Sequence, residues 1–252
     1  MTSINYRFFK NISSLTIIAA IALLVSACDE RKIEDPAFVP GTVENTCMEL
    51  ANAASQKKYG MPAEQSAHIL NGMTMTWIGP NDLKFPRNSL FTLHNMYELK
   101  SQDRVRNNSS AYAEGIWAGR NLDIEDLSKT YPAVFDPQPN QSGIFYLRLE
   151  CSPIHSDYRY NPIEPKAVGT LNYSLGLIEY PHGHNVVSTP IDKNISYPDG
   201  SPIIIECTKS RCSGTFLIEP KILVRYDYPS VQRKNWLKIL KLIIDSVNQA
   251  KE

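Results

Sequence analysis

The chain has no surplus of charge. Its 26 basic residues stand against 26 acidic ones, so it offers neither the electrostatic footprint of a nucleic-acid binder nor a polybasic membrane surface. It has no glycine-rich phosphate loop and no H-E-x-x-H pair. It also lacks a G-x-S-x-G nucleophile elbow, since "LNYSLG" is missing the leading glycine. No internal repeat or low-complexity tract divides it. Its one long apolar stretch, Leu15 to Val25, falls short of the roughly 20 residues a membrane-spanning helix needs. The missing motifs point to a protein without catalysis of its own, and nothing calls for a cofactor.

That apolar stretch is informative for its surroundings. Arg7 and Lys10 precede it, no acid occurs among residues 1–27, and "VSAC" followed by Asp29 ends it. A basic start, a short apolar segment and small residues make an export signal. "VSAC" resembles the lipobox of bacterial lipoproteins. The resemblance implies cleavage before Cys28 and acylation of that cysteine, an anchor fixed by several buried acyl chains at roughly 0.8 kcal/mol per CH₂. A soluble secreted protein cut near Ala27 is the alternative. Residues 1–27 then form the signal peptide. Residues 28–41, charged and proline-bearing, form a lipidated tether, and 42–252 a single domain. Removing Arg7 and Lys10 leaves 24 basic against 26 acidic residues, a formal net of −2.

Of five cysteines, Cys28 is taken by lipid, which leaves an even set in an oxidising compartment. "SPIIIECTKSRCSGTFLIEP" reads as two strands around a tight loop. Cys207 and Cys212 enclose four residues, and facing hairpin positions lie within disulfide range. Cys47 then joins Cys151 by elimination. The C-x₄-C spacing with no nearby histidine argues against zinc.

Periodicity supplies the fold class. A helix is expected from Val43 to about Lys58, with Val43, Cys47, Leu50, Ala51 and Ala54 as its apolar stripe and Gly60 past its end. Strands are expected at "GMTMTWIGP", "LKFPRNSLFTL", "IFYLRLECS", "GTLNYSLGLIEY", the cysteine hairpin and "KILVRYDY". In "IFYLRLECS", Phe145, Leu147, Leu149 and Cys151 face one way and Tyr146, Arg148 and Glu150 the other. In "KILVRYDY", Ile222, Val224, Tyr226 and Tyr228 alternate with Leu223, Arg225 and Asp227. An amphipathic helix starts near Ser230, with Trp236, Leu240, Ile243 and Val247 on its apolar face. Residues 96–143 yield only a short helix near Asp123 to Lys129 and a proline-rich loop. About seven strands and two helices predict an α+β domain: a mostly antiparallel sheet with an N-terminal helix and a C-terminal amphipathic helix packed on it.

Binding is sought in loops. Asp157, Tyr158, Arg159 and Tyr160 sit in a proline-bracketed segment stiffened at Cys151, and tyrosine and arginine are favoured at interface hot spots. His182 and His184, in "YPHGHN", would suit a metal only with a third ligand that the sequence does not identify, so no metal is assigned. They join the candidate partner-binding set as part of a second loop.

Together these pieces resemble the immunity lipoproteins paired with type VI secretion lipase effectors. They are the lipobox, the tether, the cysteine-bearing helix, "FPRNSL", the two-cysteine hairpin, "KILVRYDYP" and the terminal helix "NWLKILKLIIDSV". The resemblance implies a non-enzymatic immunity protein in the periplasm, lipid-anchored to the inner or outer membrane, that binds and neutralises a cognate secreted phospholipase or lipase toxin. A structural or assembly lipoprotein of the envelope is the alternative.

Overall fold

A computed structural model describes residues 43–67, 69–70, 73–86, 89–91, 110–137, 143–152, 162–164, 166–218 and 221–251. All of these fall within the unit Pro40–Glu252. The expected signal at residues 1–27 and the expected tether at 28–41, Cys28 included, lie outside the described residues.

Helix α1 (Val43–Tyr59) is closed by Gly60, whose N–H donates to the Gln56 carbonyl at 3.0 Å. Its buried residues are Asn45, Cys47, Ala51 and Ser55. Val43, expected in the apolar stripe, is 48% exposed, because the buried side of the helix runs through Asn45, Cys47, Ala51 and Ser55 instead. A short helix α2 (Ala63–Ser66) follows. Next come strands β1 (Ile69–Leu70), β2 (Met73–Ile78) and β3 (Asn81–Phe85), which form a three-stranded antiparallel sheet. Ser66 accepts the indole N–H of Trp77 at 2.7 Å and contacts the Ser55 hydroxyl, also at 2.7 Å, so α1, α2 and β2 share one buried polar knot.

The remaining strands form one nine-stranded sheet. They are β4 (Ser110–Ala113), β5 (Trp117–Asp123), β6 (Ile144–Cys151), β7 (Thr170–Asn172), β8 (Leu177–His182), β9 (Asn185–Pro190), β10 (Ile205–Cys207), β11 (Arg211–Ile218) and β12 (Ile222–Pro229). Their order is β4-β5-β6-β12-β11-β10-β9-β8-β7, and every pairing is antiparallel. Helix α3 (Ile124–Thr130) follows β5, capped by Asp123, whose carboxylate accepts the Glu125 N–H at 2.8 Å. Ser230–Asn235 forms a 3-10 turn that leads into helix α4 (Trp236–Lys251). The result is an α+β domain, with an N-terminal helix and an amphipathic C-terminal helix packed on a large antiparallel sheet.

Period-two alternation sets which face is buried. Phe145, Leu147 and Leu149 of β6, Val224, Tyr226 and Tyr228 of β12, and Phe216 of β11 enter one core with Ile239, Leu240, Ile243 and Val247 of α4. Phe85, Leu90 and Phe91 join the same core. Gly115 marks the place where α1 meets the strands. Its φ is +80°, and a Cβ there would lie 2.8 Å from that of Ala51.

Several sequence expectations need correction. "GTLNYSLGLIEY" is not one strand but β7, a turn, and β8, with Asn172 opposite Leu177. Its alternation through Leu171, Tyr173 and Leu175 breaks because Tyr173 to Gly176 form the turn, where Tyr173 is 76% exposed. "YPHGHN" is the tip of the β8–β9 hairpin rather than an open loop, with His182 opposite Asn185 and Gly183 at φ +60°. The unread stretch 96–143 contains β4 and β5. In β5, Gly119 and buried Arg120 interrupt the apolar alternation that would have exposed the strand to view.

Candidate binding face

Both disulfides lie where they position surface. Cys207 and Cys212 are direct partners across β10 and β11, with Cα atoms 4.0 Å apart. Cys47 of α1 reaches Cys151 at the end of β6, with Cα atoms 6.0 Å apart. All four cysteines are less than a tenth exposed. The second bridge fastens α1 to the end of β6, beside the segment that carries Asp157, Tyr158, Arg159 and Tyr160. Those four residues lie outside the described part of the chain.

The sheet face opposite the core carries polar side chains beside the buried Leu217 and Leu223. Register puts Trp117, Glu150 and Leu223 in one row, and Gly119, Arg148, Arg225 and Thr215 in the next. The Arg148 guanidinium lies 4.3 Å from the Trp117 ring centroid, within cation–π range. Gly119, between them on β5, has no side chain to intervene; a Cβ there would meet the Trp117 ring at 3.2 Å. Glu150 bridges two arginines, with Oε1 2.8 Å from Arg148 Nε and Oε2 3.0 Å from Arg225 Nε. Arg211 pairs with Asp227 and also donates to the Ile144 carbonyl at 2.8 Å.

His182 lies at the far end of this face. Four inter-strand steps separate β8 from β12, roughly 19 Å at about 4.8 Å each. The Nδ1 of His182 is 3.7 Å from Glu206 Oε1, which accepts the Asn185 amide at 2.7 Å. His184 is exposed in the turn. Among the described residues, no group of three or more His, Cys, Asp or Glu side chains could hold a metal. Val168, Leu171 and Tyr173, all exposed, form an apolar fringe along β7, at the edge of the sheet.

The buried polar groups elsewhere serve the fold. Arg233 holds the 3-10 turn to the sheet through Glu179 at 2.9 Å and Ser188 at 2.7 Å. Gln232, fully buried, pairs in both directions with the Asp136 backbone. Burial raises the Glu114 carboxyl above its usual range, opposed by hydrogen bonds from the Trp77 N–H and the Thr76 hydroxyl. Burial likewise raises the phenols of Tyr197, Tyr226 and Tyr228.

Sequence reasoning placed Arg148, Glu150, Arg225 and Asp227 on the outward side of their strands, yet did not assemble them into a site. Glu150 joins the two arginines, and Trp117, in the unread stretch, lies against Arg148. No described helix is long and apolar enough to cross a membrane. No family model, curated protein or solved structure matches this chain.

Proposed function

We propose that this chain is a lipid-anchored periplasmic immunity protein that binds a type VI secretion phospholipase or lipase and neutralises it without catalysis of its own. The observation that carries the reading is the pairing of all four remaining cysteines once Cys28 is set aside for the anchor. Two buried crosslinks suit an oxidising compartment; one ties α1 to β6 and the other ties β10 to β11 within the long sheet. The outward face of that sheet supports a binding role, because its arginines and tryptophan are held in place before any partner arrives, which lowers the ordering cost of association. A membrane tether raises the inhibitor's effective concentration where a lipase would act.

The test uses the full chain with its export signal. Palmitate labelling should mark the wild type and leave Cys28→Ala unmarked. The purified lipoprotein should co-purify with an exported lipase encoded beside it and abolish that enzyme's hydrolysis of phospholipid vesicles at equimolar ratio. An unlabelled wild type, or a lipase indifferent to equimolar chain, overturns the reading.

A further inference from the structure

We infer that the arginine pair Arg148 and Arg225, walled by Trp117, receives an acidic side chain of the partner protein. The identity of that partner rests on the immunity reading above.

Three observations converge on this site. The first is charge. Glu150 is a single carboxylate set between two guanidiniums, so among the described residues the cluster keeps one positive charge in a chain that is formally neutral. The other outward arginine, Arg211, is matched one to one by Asp227 and donates a further bond to a carbonyl. The surplus is therefore local to Arg148 and Arg225.

The second is geometry. Glu150 accepts a hydrogen bond from Arg225 Nε and lies against Arg148 Nε as an ion pair without hydrogen-bond geometry. Among the described residues the terminal nitrogens of the two forks have no partner. A guanidinium fork matches a carboxylate in two parallel bonds. Arg225 is 51% exposed and Arg148 33% exposed at the side chain, so an incoming group can reach both.

The third is order. Arg148 and Arg225 are Cα partners on adjacent strands in the middle of the sheet, and Trp117 stacks against one of them. The forks are thus set by the sheet and the ring rather than by a loop. Tryptophan and arginine together are the residue types that most often carry interface energy. A carboxylate on a protein loop satisfies the surplus charge, and the loop's apolar neighbours cover the indole.

The experiment measures affinity of the full chain, in mild detergent, for the lipase with which the wild type co-purifies. Arg225→Glu should weaken binding about 100-fold or more, since it turns attraction into repulsion. Trp117→Ala should weaken it about tenfold or more. Arg225→Lys keeps the charge but not the fork, and should fall between wild type and Arg225→Glu. Urea midpoints within experimental error of wild type for the Arg225 variants exclude misfolding as the cause. Wild-type binding that survives Arg225→Glu and Trp117→Ala overturns this site while leaving the immunity reading intact. A wild type that binds no lipase overturns both. A short-chain anionic phospholipid, titrated below its micellar concentration, tests the other source of an oxyanion. A saturating tryptophan-fluorescence change that Arg225→Glu abolishes would assign the site to a lipid phosphate and overturn the protein partner.

Discussion

Removing the two disulfides one at a time should have very different costs. The Cys47–Cys151 bridge closes a loop of sequence separation 104, and Cys207–Cys212 a loop of 5. A crosslink stabilises chiefly by restricting the unfolded chain, and the loop-entropy relation gives about 4.7 kcal/mol for the long loop and about 2 kcal/mol for the short one. Native-state losses nearly cancel in the comparison, because all four sulfurs are buried to a similar degree. Cys47→Ala/Cys151→Ala should therefore be about 2.7 kcal/mol less stable than Cys207→Ala/Cys212→Ala. At roughly 2–4 °C per kcal/mol for a domain of this size, its melting temperature should be lower by about 5–11 °C. Urea unfolding and thermal melts of the purified full chain measure both quantities. Equal losses, or a larger loss for the hairpin pair, would refute the reasoning and show that the bridges act mainly within the folded sheet.

Other consequences follow from single positions. Gly214→Ala would place a Cβ 2.5 Å from Tyr226 Cζ; in that packed core it should cost about 1–3 kcal/mol by urea titration. Gln232→Ala leaves the Asp136 N–H and carbonyl without their partner and should cost about 2–4 kcal/mol in the same assay. Tyr197, Tyr226 and Tyr228 have folded pKa values above the ordinary 10.0. Their neutral forms contribute stability that is complete below that value and is lost as pH rises toward the folded values. Tyrosinate absorbance from these three should therefore appear only with unfolding; its appearance in a chain that keeps native circular dichroism would contradict the buried cluster. Glu114 is also raised, from 4.5, so its stabilising contribution is complete below 4.5 and falls as pH climbs through the folded value. Glu114→Gln should flatten that slope between acid and neutral pH, and an unchanged slope would assign it to another group.

Legibility followed the burial pattern. β6 read clearly because it has one wet and one dry face, and β12 did so from Val224 onward, its first three residues being buried on both faces. α4 read clearly for the analogous reason at helical spacing. β5 did not, since its inner face includes Arg120 and its outer face Trp117, the reverse of the expected polarity. β7 and β8 merged into one strand in the sequence because the turn residues Tyr173 and Leu175 continue an apolar alternation. The cysteine hairpin was legible from spacing alone. The Trp117–Arg148–Arg225 cluster was half legible: the arginines faced outward in the pattern, but only the β5–β6 register brings the indole to them.

The order of strands bears on the export proposed above. β4-β5-β6 and β11-β10-β9-β8-β7 meet only through β12, which lies close to the end of the sequence. Among the described strands, the two groups pair with each other only once β12 is in place, and α4, which seals the core, follows it in the chain. In a chain exported as proposed above, the nine-stranded sheet would close only once β12, the last of the described strands in chain order, had joined its two halves.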